Sequence, residues 1–186
     1  MNNILLGCTG SGASRHLPKL VNLLQQKHDV RIKVIHTQNA KHFFNPASLE
    51  HVDVYSDANQ WTTSWTKLGD PILHIELRDW ADIFLIAPLD ANTLAKVATG
   101  LCDNLLTTTV RAWDAVEKPL YFAPAMNAQM WNHPLTMKHV NDLQRFGYRY
   151  IPTREKMQMC GKVGVGGMAT LETIVANVMD TPTSKL

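Results

Sequence analysis

Three side chains capable of chemistry stand out in this chain of 186 residues: His74, Asn127 and Cys160. His74 lies in Ile72-Leu73-His74-Ile75-Glu76-Leu77, with aliphatic residues on both sides. A histidine in that setting is usually a satisfied structural residue. It is also the side chain whose ordinary pKa suits it to act as a base near neutral pH. Asn127 follows an apolar run, Tyr121-Phe122-Ala123, that breaks at Pro124, and Met126, Met130 and Trp131 surround it. An amide there either closes a turn on its own backbone or aims hydrogen bonds at a ligand. Cys160 lies between Met157 and Met168, where Gly161, Gly164, Gly166 and Gly167 favour a mobile loop. A cysteine there either reaches solvent and reacts or is a buried, inert thiol.

These residues need a scaffold, and the chain reads as alternating strands and helices. Ile4 to Cys8 is a buried strand. Thr9-Gly10-Ser11-Gly12-Ala13-Ser14 is a small-residue turn, and Leu17, Leu20, Val21 and Leu24 follow at helical spacing. Strand, small-residue loop and helix together either cradle a phosphate on backbone N–H groups or make a tight turn with no ligand. Val30 to Ile35 is a second strand, ending at His36-Thr37-Gln38-Asn39, where Thr37 and Asn39 are suited to cap a short helix or to touch a phosphate. Residues 45–73 read as polar and irregular, with Trp61 and Trp65, four apart, either a helical pair packing on the core or an aromatic patch near a ligand. Ile83 to Ala87 is the most apolar strand. A helix follows it, with Asp90 and Thr93 as cap residues and Gly100 as its end. Asp103-Asn104-Leu105-Leu106 opens another helix running to Trp113, Leu135 to Phe146 forms a further one, and Tyr148 to Ile151 reads as the last strand. Leu171 to Met179 closes the fold, and residues 181–186 read as a frayed tail. Strand–helix alternation predicts a doubly wound parallel sheet. The loops at 9–14, 88–93 and 124–131 then share its carboxyl edge, where open α/β sheets place ligands.

Composition narrows the class. With 45% hydrophobic and 18% charged residues the chain fits one globular domain. A net charge of +2 gives no reason to invoke nucleic acid or an acidic membrane surface. The three cysteines form no CxxC pair, so neither a zinc site nor a disulfide framework is indicated, and free thiols suit a reducing compartment. Met1-Asn2-Asn3 runs straight into Ile4 without a charged leader, so a cytoplasmic protein is expected.

Several segments together resemble the flavin-dependent cysteine decarboxylase family. They are Thr9-Gly10-Ser11-Gly12-Ala13, Asp70 to Leu77, Ala87-Pro88-Leu89-Asp90-Ala91-Asn92-Thr93-Leu94, Leu101-Cys102-Asp103-Asn104-Leu105-Leu106, and Pro124-Ala125-Met126-Asn127 with Met130-Trp131. The resemblance runs from about residue 4 to about residue 178. It implies a flavodoxin-like, Rossmann-type single domain over residues 1–180 and bound FMN. It also implies a homotrimer with the flavin between subunits, and no nucleic-acid or membrane partner. The implied substrate is phosphopantothenoylcysteine, decarboxylated to phosphopantetheine on the way to coenzyme A. Members that act on peptide cysteines, and members that serve as non-catalytic regulatory subunits of phosphatases, share the pattern.

The resemblance also implies roles. Ser11, Gly12, Ala13, Thr37, Asn39, Asp90, Ala91, Asn92, Thr93 and Ala125 would hold FMN. Asn127 and Met130 would hold the substrate, with His74 as base and Cys160 as a late proton donor. Loss of CO2 from a cysteine carboxylate needs an electron sink at the neighbouring carbon, which FMN supplies by oxidising the thiol carbon. A neutral amide positions the carboxylate without over-stabilising the ground state. The pattern departs at Asp79, where a second basic residue is expected after Arg78. It departs again at Lys162, where an acidic residue is commoner, and at Thr170, which replaces the usual glutamate after Met168-Ala169.

Overall fold

Residues 83–89 are buried without a break, which suits a strand covered on both faces at the centre of a parallel sheet. The computed structural model describes residues 2–27, 29–60, 66–157 and 161–180. Cys160, Trp61, Trp65 and the tail at 181–186 lie outside the described residues. The first half contains β1 (Asn2–Cys8), α1 (Leu17–Gln25), β2 (Val30–His36), β3 (Asp53–Tyr55), α2 (Asp57–Gln60), α3 (Leu73–Trp80), β4 (Ile83–Leu89) and α4 (Ala91–Thr99). The second half contains α5 (Leu105–Arg111), β5 (Leu120–Pro124), α6 (Ala128–Trp131), α7 (Pro134–Arg145), β6 (Arg149–Tyr150), β7 (Arg154–Met157), β8 (Val163–Gly167) and α8 (Leu171–Met179).

Six strands form a parallel sheet in the order β3-β2-β1-β4-β5-β6. This is the Rossmann-type order. Without the three-residue edge strand β3 it becomes the flavodoxin-type order, so the expected doubly wound fold is present. The chain reverses direction of growth between β1 and β4, and their carboxyl ends carry the loops after Cys8 and Leu89.

Alternate residues of β1 serve opposite faces, as the period of a strand requires. Ile4 and Leu6 pack with Leu17, Leu20 and Leu24 of α1 and Ile174 and Val178 of α8. Leu5 packs on the other side with Phe84, Ile86, Leu77, Leu106, Val110 and Leu143. Caps hold several helices where the sequence reading put them. Asp90 Oδ1 accepts from Thr93 N at 2.7 Å, Asn104 makes a reciprocal capping box with Thr107, and α4 ends at Gly100.

Two expectations change. The stretch at 45–73, read as irregular, contributes β3, which pairs with β2 through Lys33, Val34 and Ile35. The glycine-rich stretch, read as a mobile loop, is in its described part an antiparallel hairpin. Arg154 pairs with Gly167, Lys156 with Gly164, and Met157 with Val163. The strand expected at Tyr148 to Ile151, present as β6 over Arg149–Tyr150, is therefore not the last, since β7 and β8 follow it. Glycine carries the same backbone N–H and C=O as other residues, so the ladder forms even where side-chain packing is lacking. No helix among the described residues is long and apolar enough to cross a membrane.

Candidate active site

The loops after β1 and β4 are tied together by one threonine that the sequence reading passed over. Thr9 is fully buried. Its hydroxyl donates to Pro88 O at 2.9 Å and accepts from Asp90 N at 2.7 Å. Thr9 N also donates to Pro88 O at 3.3 Å, and Thr9 O accepts from Ser14 Oγ at 2.7 Å and from Ser11 N at 2.7 Å. Ser11 caps the 3-10 turn that follows by accepting from Ala13 N at 3.3 Å. Gly10 is required by close approach rather than by its dihedral angles. A Cβ there would lie 2.8 Å from Asn39 Cβ and 3.0 Å from Asp90 Oδ2.

Around these loops lies a cavity of about 530 Å³, within the range of small-molecule and cofactor sites. It brings together Ser11, Gly12, Ala13, Asn39, Asp90, Ala91, Asn92, Ala125, Asn127 and Met130 from the expected set. Arg15, Phe43, Met126, Lys156, Met157 and Gly166 to Met168 also line it. The hairpin thus forms a wall of the site. Met126 N donates to Gly166 O at 2.8 Å. Gly166 has φ +115, and a Cβ there would lie 2.8 Å from Met126 O and 2.9 Å from Trp131 Cβ. Only a glycine tolerates that dihedral together with so close a contact.

Asn127 does act as a turn residue. Its Oδ1 accepts from Gln129 N at 2.9 Å and caps α6, which fixes the plane of the amide at the edge of the cavity. The two readings of this residue are therefore compatible. Thr93 is turned inward, almost fully buried, and is not among the lining residues. Thr37 stands at the N-cap position of the turn Gln38–His42 without a side-chain cap bond. Its buried Oγ1 has no hydrogen-bond partner among the described residues. A buried orphan hydroxyl costs roughly 1–3 kcal/mol, so a ligand oxygen at this place would relieve a real penalty.

His74 stands apart. It is half-buried on α3, with Nδ1 3.5 Å from Gln60 Nε2, and it does not line the cavity of its own chain. Burial, and then the Arg78 guanidinium, holds its pKa below the usual histidine value, so the ring is neutral at neutral pH. The Lys118 ammonium fastens the C-terminal end of α3 by donating to Arg78 O, Asp79 O and Ala81 O at 3.1, 3.3 and 2.8 Å. Asp79 pairs with Arg78, whose Nε donates to its Oδ1 at 2.8 Å on the exposed side of the helix. Cys160, the expected proton donor, lies outside the described residues.

The missed wall residues left little signal in the sequence. Arg15 and Lys156 look like ordinary solubilising charges, and β8 has too many glycines to show strand alternation. Arg154 and Lys156, two apart, hint at strand spacing, although the register shifts between them and Lys156 alone of the two lines the cavity.

Comparison with known proteins bears on the family of the chain. Residues 1–182 match the flavoprotein family. Phosphopantothenoylcysteine decarboxylase of Mus musculus is 53% identical over 175 residues, covering 94% of this chain and 84% of that one. A solved cysteine-to-serine variant of a PPC decarboxylase, complexed with pantothenoylaminoethenethiol, superimposes with a TM-score of 0.90 at 44% identity, covering 96% of each chain. The FMN binding protein AtHal3 superimposes with a TM-score of 0.85 at 45% identity, covering 96% of this chain and 95% of that one.

Proposed function

Because the chain belongs to the flavoprotein family, we propose that it is an FMN-dependent carboxy-lyase that converts 4'-phosphopantothenoylcysteine to 4'-phosphopantetheine in coenzyme A biosynthesis. The observation that carries the reading is the cavity of about 530 Å³ on which four strand-end loops, after β1, β2, β4 and β5, and the hairpin converge. FMN fits the lining: the Ser11–Ala13 turn and Asn39 for its phosphate, with the orphan Thr37 hydroxyl buried two residues before Asn39 and outside the lining, and Asp90 to Asn92 with Ala125 for the rest. When bound, FMN supplies the two-electron sink at the thiol-bearing carbon that loss of CO2 from a cysteine requires.

The chain's own groups do the rest. Asn127, its amide plane fixed by the α6 cap, donates to the substrate carboxylate and orients it. A neutral donor leaves the leaving carboxylate less stabilised than a guanidinium would, so binding energy is not wasted on the ground state. Met130 packs on the aliphatic part of the substrate. The hairpin wall excludes water. Cys160 delivers a proton late in the cycle. His74, neutral because burial and Arg78 hold its pKa low, accepts a proton.

The enzyme is a cytoplasmic homotrimer in this reading. The place of His74 outside its own chain's cavity supports an oligomer in which the histidine serves a neighbouring copy's site.

The test is CO2 release from phosphopantothenoylcysteine by the purified yellow protein. A flavin-loaded protein that releases none sinks the reading. Mixing probes the shared site. His74→Asn and Asn127→Leu proteins, each inactive alone, should regain part of the parental activity after subunit exchange. Persistent inactivity in verified mixed oligomers refutes the shared arrangement.

A further inference from the structure

We infer that Arg15 and Lys156, brought to one rim of the cavity from opposite ends of the chain, form a second anion subsite that reads the terminal phosphate of the substrate. Arg15 sits in the turn Gly12–His16 and Lys156 in β7, and both line the same cavity. They are not alone. The Arg15 Nε lies 3.3 Å from His16 Nε2, and Arg154, two residues before Lys156, is held by its Nε donating to Met168 O at 3.1 Å. The Lys156 stem is pressed against the backbone at Gly167, where an added Cβ would lie 2.7 to 3.0 Å from its Cγ, Cδ and Cε. That packing aims the ammonium rather than leaving it to wander.

Like charges do not gather at a cavity without a cost. Burial first, and then Arg154 and Arg15, lowers the Lys156 pKa. His16 is lowered by burial and then by Arg15, Lys156, Arg154 and Lys19. The electrostatic neighbourhood is therefore one crowded set of cations. The acidic residue in the lining is Asp90, and its Oδ1 is engaged in capping α4. Lys156 makes no ion pair among the described residues. A dianionic phosphate relieves such a cluster through charge-assisted hydrogen bonds.

The neutral Asn127 amide then takes the carboxylate that is to leave, and the Arg15 and Lys156 cations take the phosphate that stays. The two anionic ends of one substrate are sorted by charge, and an inverted pose would leave the crowded cations facing only a monoanion.

The inference rests on the proposed decarboxylase activity, and the experiment separates the two. FMN-loaded protein is assayed with phosphopantothenoylcysteine and with pantothenoylcysteine. The parent should prefer the phosphorylated substrate in kcat/KM. Lys156→Met keeps the stem packed on Gly167 but removes the charge. It should lower the ratio of the two kcat/KM values about tenfold, mainly through KM, as loss of one charge-assisted contact predicts. Arg15→Gln should act in the same direction, added salt should shrink the parental preference, and Lys156→Arg should restore most of it.

Equal losses on both substrates overturn the subsite. So does a fall in FMN content with the ratio unchanged, which would assign the cations to the flavin phosphate. A parent that decarboxylates both substrates equally well refutes the subsite while the activity stands. A parent that acts on neither refutes the activity, and the subsite with it.

Discussion

The cavity has two unlike walls. One is built from loops at the carboxyl edge of the parallel sheet, where Thr9 alone makes bonds to Pro88, Asp90, Ser11 and Ser14. The other is a two-stranded hairpin outside the sheet, docked through Met126 N to Gly166 O and through a glycine pressed against Met126 and Trp131. The first wall is preorganised by side chains reaching backbone groups. The second is held by backbone proximity. In the proposed activity the difference suits the walls to different work, the sheet-edge loops holding the cofactor and the Asn127 amide, and the hairpin closing over the substrate. A cofactor that stays bound is best served by donors that do not move, and a substrate that enters and leaves is best served by a wall with few anchors.

Substitutions that damage one wall should therefore spare the other. The largest effect is expected at Gly10. A valine there meets Asn39 and Asp90 with no space to give, and the overpacking costs up to about 3 kcal/mol. Gly10→Val protein should purify almost free of flavin, measured by its absorbance, while the hairpin stays protected in amide exchange. A yellow protein with normal FMN affinity would refute the loop assignment.

Next is Gly166→Ala. The added methyl meets Met126 O at 2.8 Å at a φ of +115, a combination costing about 2 kcal/mol. FMN content should hold while kcat/KM falls about tenfold. Loss of flavin instead would mean that the walls are not independent. Thr9→Val should cost roughly 1–2 kcal/mol, because Asp90 N loses a buried partner. Its signature is weaker FMN binding with KM for substrate unchanged, read by flavin titration.

Much of the first wall was legible in the sequence and little of the second was. Apolar runs such as Ile83 to Ala87, and helices bounded by Asp90 and Gly100, carry periodic patterns and cap chemistry that a short window reveals. Asn127 was legible as a cap because Asx side chains bond their own backbone locally. The hairpin was not, since Val163 to Gly167 alternates valine with glycine and its pairing partner carries charges. The three residues of β3 are too few to show a period. Arg15 and Lys156 converge only after about 140 residues of chain have folded, which no local pattern encodes. The place of His74 outside its own chain's cavity was equally invisible, because it depends on how α3 packs on the sheet.

The smallest effect concerns pH, and it bears on the first wall through His36, which precedes Thr37. His36 is buried, and its Nδ1 lies 3.0 Å from Thr37 O, so Nδ1 carries the hydrogen and donates to the carbonyl. Burial chiefly lowers its pKa below the ordinary 6.5, with Lys41 adding to the fall and the Thr37 bond and Asp57 opposing it. In the unfolded chain the ring regains the ordinary value, so between 6.5 and the lower folded value the unfolded state binds more protons. Stability therefore rises with pH through that window and falls as pH drops from 6.5. His36→Gln retains an N–H donor for Thr37 O and removes the titration. The Tm of the FMN-loaded protein should fall less between pH 7 and pH 5.5 in this variant than in the parent. An equal fall in both proteins would move the pH sensitivity away from His36, to His16 and His74, whose pKa values are also held low.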